Sequence, residues 1–241
     1  PFHPAEGDPD GGADTDTGPW QDTPGCERID LLVVADDRTG AGEFLQLAGE
    51  ALTDMVWELG DYLEVVNGSV DLRVGITTAS VNPIYHSFGP GADLDRDEAG
   101  HDGMLVLNGA CGMTGAPWLQ SEPDEGPVQG FSAECVLQNL PGNDDAQLAM
   151  PMAAIHQALL TDWDNPTGVN PYSAPGMPND GFRREEPDTL LAVIVLDGTD
   201  DCSVIEGGSV LVPEHFFSCQ DDGSVGLYDA GAFADYVESL V

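Results

Sequence analysis

Two carboxylate groups stand where apolar runs end. Asp36 and Asp37 follow the uninterrupted apolar stretch 31–35, and Asp197 closes the stretch 189–196, with Asp200 shortly after it. Carboxylates held together at strand ends are hard oxygen ligands, suited to Mg²⁺ or Ca²⁺. With a bound metal they could activate water, so a metal-assisted hydrolase using Asp36, Asp37 and Asp197 is one chemistry to weigh. Residues 93–98 (Asp-Leu-Asp-Arg-Asp-Glu) begin like a Ca²⁺-binding loop. They lack its glycine, where Glu98 stands, and its closing glutamate, where Met104 stands. An acidic loop without metal is the expectation there. The histidines (His3, His86, His101, His156 and His215) are dispersed, and none is four residues from another. His156, with Met152 and Ile155 nearby, is expected to be a core or boundary histidine; His86 and His101 share one acidic loop. There is no Gly-X-Ser-X-Gly, no suggestive Cys/His spacing and no phosphate-cradling glycine loop.

Composition narrows the field further. The chain has 241 residues with 44 Asp and Glu against 6 basic residues, all Arg, for a formal net charge of −38. A field of that sign repels nucleic acid and anionic membranes and favours divalent cations or a basic partner. Its plainest role is a solvated, self-repelling surface on a secreted or salt-adapted protein. Hydrophobic residues at 41% allow a sizeable core, and no apolar run reaches the length of a membrane span. The five cysteines form no CxxC and no zinc spacing. They suit two disulfides and a leftover thiol in an oxidising compartment. Spacing does not dictate the pairing. The arrangement expected here is Cys202 with Cys219, on proximity in the chain, and Cys111 with Cys135, leaving Cys26. The chain begins at Pro1 and is read as a mature form whose leader has been removed.

Secondary structure must position these groups. Residues 1–25, rich in Pro, Gly, Asp and Thr, are expected to be an extended tail or linker, with Phe2 and Trp20 as its only large anchors. The stretch 29–37 reads as a strand buried on both faces. A helix follows, with Phe44, Leu47, Ala48, Ala51, Leu52, Met55, Val56 and Leu59 on its apolar stripe. Further strands are expected at 71–79 and 189–197, with short ones at 104–107 and 210–212. Helices are expected at 131–140, at 146–163 and at 230–240, the last with Phe233, Tyr236, Val237 and Leu240 inward. The long stretches 80–129 and 165–180 read as loops. Buried strands alternating with helices argue for an α/β fold with an open, mostly parallel sheet. In such sheets ligands bind at the carboxyl ends of the strands, where Asp36 and Asp37 fall.

The order of these motifs resembles the von Willebrand factor type A (VWA) domain, and within it a group of secreted or lipid-anchored bacterial VWA-like proteins. The likeness is carried by Ile29-Asp30-Leu31-Leu32-Val33-Val34-Ala35-Asp36-Asp37-Arg38-Thr39-Gly40-Ala41 with Glu43, and by the strand Arg73-Val74-Gly75-Ile76-Thr77-Thr78. It continues through Phe182-Arg183 and residues 191–203, then Cys219 and Tyr236-Val237-Glu238-Ser239-Leu240. It spans 26–241 and implies a single VWA-like (Rossmann-type) domain with long disulfide-tied loops. The family's metal-ion-dependent adhesion site uses an Asp-X-Ser-X-Ser loop, a Thr and a further Asp. Here Asp36 is kept, but Arg38 and Gly40 replace both serines, 144–151 offers no hydroxyl, and Gly198 stands at the later Asp, one residue after Asp197. Arg38 places a permanent cation where the metal would sit. The resemblance therefore implies a lapsed site at Asp36, Asp37, Asp197 and Asp200, with no cofactor required and weak Ca²⁺ or Mg²⁺ binding left open. It also implies a secreted, periplasmic or cell-surface adhesion module that is not an enzyme and binds a protein partner through its long loops. The tail 1–25 is expected to be a spacer, with a surface tether left open. A structural subunit of an extracellular assembly is the second reading, and the metal-assisted hydrolase is the third.

Overall fold

In the computed structural model the chain is built on strand β1 (Arg28–Ala35), which lies between two parallel neighbours. The structure describes residues 27–37, 41–67, 71–80, 103–111, 113, 115–121, 133–140, 150–161, 172–197, 204–209 and 225–227, with backbone alone at 66–67, 204–209 and 225–227. Helix α1 (Gly42–Asn67) connects β1 to β2 (Leu72–Thr78). β4 (Thr189–Leu196) pairs with the other edge of β1, and the short β3 (Trp118–Gln120) pairs antiparallel with β2. The four-stranded sheet thus has the order β3-β2-β1-β4, mixed but mostly parallel. The α/β class and the open sheet flanked by helices are as the sequence led one to expect. β5 (Val204–Ser209) and β6 (Val225–Leu227) form a separate antiparallel pair.

Continuous apolar runs give strands that can be covered on both faces, and alternate residues of β1 enter two different cores. Ile29, Leu31, Val33 and Ala35 join Leu72, Val74 and Ile76 under α1 and α2 (Ala133–Gln138). Leu32 and Val34 face the other way, toward Leu105, Phe182 and α3 (Pro151–Leu159). A disulfide joins Cys111 to Cys135, with Cα atoms 5.7 Å apart, and ties the 3₁₀ turn Gly109–Cys111 to α2. It is the Cys111 pairing named from the sequence. Closing a loop of this length stabilises a fold by about 3 kcal/mol in the chain-entropy model.

Several local expectations are revised. The buried stripe of α1 is Leu45, Leu52, Val56 and Leu63, while Phe44, Leu47 and Ala51 face solvent. α3 is shorter than expected and buried on nearly every side rather than along one stripe. Residues 104–107 are not a strand. They run beside β2, where the Val106 amide donates to Ile76 O at 2.8 Å and Thr77 Oγ1 donates to Met104 O at 2.8 Å. β3 arises instead at 118–120. The tail 1–25, the strand 210–212, the helix 230–240, the acidic loop 93–98, His86, His101, Cys26, Cys202 and Cys219 lie outside the described residues.

Candidate functional site

Asp36 and Asp37 follow directly on β1 and are 5% and 6% exposed. The Asp36 amide donates to Leu196 O at 2.9 Å, so the chain leaves β1 still paired with the end of β4. Asp197 is the next residue after β4 and is half-buried. The parallel register Ala35↔Leu196 therefore brings Asp36 and Asp197 to the same end of adjacent strands. Asp200, Arg38 and Gly40 lie outside the described residues.

The sequence reading missed the partners of Asp37. β2 leaves the sheet in register with β1, the Ala79 amide donating to Ala35 O at 2.8 Å. That places Ser80 beside the acids. Its hydroxyl donates to Asp37 Oδ2 at 2.7 Å, and Thr78 Oγ1 lies 2.9 Å from Ser80 Oγ. Thr78 and Ser80 are themselves buried. The signal was present in the run Thr77-Thr78-Ala79-Ser80 at the end of an apolar strand, where buried hydroxyls need acceptors. The Met150 amide then donates to Ala79 O at 2.8 Å and seats the start of α3 against this end of the sheet.

A buried carboxylate that accepts a hydroxyl hydrogen bond is stabilised without a metal. Mg²⁺ requires near-octahedral oxygen ligands at close range. Among the described residues no three His, Cys, Asp or Glu side chains converge as a metal-holding group, and Ser80 spends its proton on Asp37. His156, on α3, is buried, and burial pushes its imidazole below the ordinary range.

The opposite end of the strands is organised by cations. Asp30, fully buried in β1, receives the Arg184 amide at 2.7 Å and Arg184 Nε at 2.8 Å. Arg184 also donates to the Asp71 carboxylate, to Ile29 O and to Asp71 O. Arg28 joins Asp71 to Asp188. Burial pushes the Asp30 carboxyl up, and Arg184 pulls it back down. This end was not anticipated. Its signal was an Asp inside an apolar strand and an Arg-Arg pair just before β4 in a chain almost without cations.

The turn that carries Arg184 is held by Asn179, whose side chain bonds Leu105 N, Gly103 O and Ala158 O. No family model matches the sequence, no curated protein matches it, and no solved structure matches the fold.

Proposed function

We propose that the chain is a VWA-like protein-binding module of an extracellular or cell-surface protein, acting in adhesion or assembly and not as an enzyme. The observation that carries this reading is the outer flank of α1. Phe44, Leu47, Tyr62 and Val65 are 43%, 68%, 61% and 84% exposed, and Ala51 is exposed between them. They fall on one side of the helix, beside its buried stripe. Exposed apolar groups of this kind at both ends of one helix face suit an interaction surface. Glu58 lies between the two apolar groups on the same face, and Glu43, Glu50, Asp54, Asp61 and Glu64 flank them. Charge complementarity then specifies the partner as a protein with apolar side chains rimmed by Lys or Arg. In this reading Asp37 serves the fold through Ser80 instead of binding a metal, and residues 1–25 are the tether.

The test is the double variant Leu47→Glu with Val65→Glu, compared with wild type in thermal melts and in binding to an amphipathic helical peptide bearing lysines. Unchanged melting with peptide binding lost in the variant supports the reading. A lowered melting temperature would mean that the chain's own remaining segments cover the strip, and would overturn it. So would a peptide that the wild type ignores.

A further inference from the structure

We propose that the pair Arg73 and Trp118 forms a binding site for a small anion, a halide or a carboxylate group, at the β2–β3 edge of the sheet; this stands apart from the α1 surface. Arg73 is the second residue of β2, and Trp118 opens β3 opposite Gly75. The Arg73 guanidinium lies 5.8 Å from the Trp118 ring centroid, and Phe182 packs 6.0 Å from that ring on its other contact. Gly75 makes room for this stack. A Cβ there would stand 2.8 Å from Phe182 Cε2.

Arg73 Nη1 is fixed by the carbonyl oxygens of Gly181 and Phe182. Its Nε and the neighbouring Trp118 Nε1 are buried and bond to nothing. Among the described residues Arg73 makes no ion pair, in a chain with 44 Asp and Glu. Its neighbour Asp30 is already engaged by Arg184. Both orphan groups are donors only. A water molecule accepting from them would have to place its own hydrogens on acceptors elsewhere; an anion has none to place. Burial, the largest effect, and the nearby Arg184 act against the Arg73 cation, while Asp30, Asp71 and Glu186 favour it. Both side chains are only partly buried, so the donors sit one shell below solvent.

The experiment is a bromide NMR line-width titration of the whole protein, repeated with acetate as competitor. The wild type should show saturable broadening. Acetate displacing it assigns the site to carboxylates as well, and acetate without effect confines it to halides. Trp118→Phe keeps the ring and removes one donor, and Arg73→Lys keeps the charge and removes Nε; each should weaken bromide about tenfold, the worth of one charge-assisted hydrogen bond. Arg28→Gln, a partner of Asp71 and Asp188 only, should leave the titration unchanged. No saturable broadening in the wild type, or full broadening in both variants, overturns the proposal. Should the variants fail to fold, the anomalous signal of bromide in wild-type crystals decides. A peak within hydrogen-bonding distance of both nitrogens supports the site, and an empty stack overturns it.

Discussion

Where β1 begins, its buried carboxylate Asp30 is met by the guanidinium of Arg184; where β1 finishes, Asp37 is met by the hydroxyl of Ser80. The same strand thus buries acids at both ends by two different means. An ion pair with extra hydrogen bonds to Ile29 O and Asp71 O locks the N-terminal end, because removing either charge would strand the other out of water. A hydroxyl relay keeps the negative charge of the C-terminal end in place and asks less of the surrounding structure. The N-terminal end is therefore a structural clamp, joining β1, β2 and the segment before β4. The C-terminal end is polar and buried, and there Asp37 accepts from the hydroxyl of Ser80.

The contrast is broken most severely by Arg184→Met. Asp30 would keep its burial and lose its cation, at about 3–5 kcal/mol; a denaturant melt measures it, and Arg184→Lys should recover only part, since a point charge cannot span Asp30, Asp71 and two carbonyls. Ser80→Ala at the other end should cost about 2 kcal/mol, the worth of a hydrogen bond to a charged acceptor. A loss as large as that of Arg184→Met would erase the distinction between the ends.

Acidity sharpens it next. The depressed pKa of His156 contributes stability that is present above the ordinary value of 6.5 and is lost as pH falls toward the folded value. His156→Gln should flatten the melting temperature between pH 7 and the onset of carboxylate titration. Asp30 has the opposite sign. Its folded pKa lies above 3.8, so its contribution is fullest below 3.8 and is lost as pH rises through the folded value. Arg184→Met removes the group that restrains this shift and should steepen that loss. The smallest change belongs to Arg28→Gln, whose ion pairs are partly exposed. It should lower the melting temperature slightly in dilute buffer and not at all in molar salt.

The strands that carry the acids were legible because a run such as Leu31 to Ala35 has one economical fate in water: burial on both faces of a sheet. Asp36, Asp37 and Asp197 were legible as strand-end residues for the same reason. β3 was not, since Trp118 to Gln120 lie in a glycine- and proline-rich stretch with no alternation to read. The rotation of α1 was also hidden. Its sequence carries two adjacent apolar stripes, and only contact with the sheet and with α2 selected Leu45, Leu52, Val56 and Leu63 over Phe44, Leu47 and Ala51.

What the sequence determined by itself is therefore local and periodic: an α/β chain, strands ending in carboxylates, a long first helix and an acidic surface. Hydrophobic spacing and net charge act over a few residues or over the whole chain, and both are visible without coordinates. The tertiary structure alone decided which distant groups answer the buried charges. Ser80 reaches Asp37 across 43 positions of sequence and Arg184 reaches Asp30 across 154. Such pairings follow from strand register and the path of the intervening loops, because a buried polar group takes whatever partner the packing brings within about 3 Å.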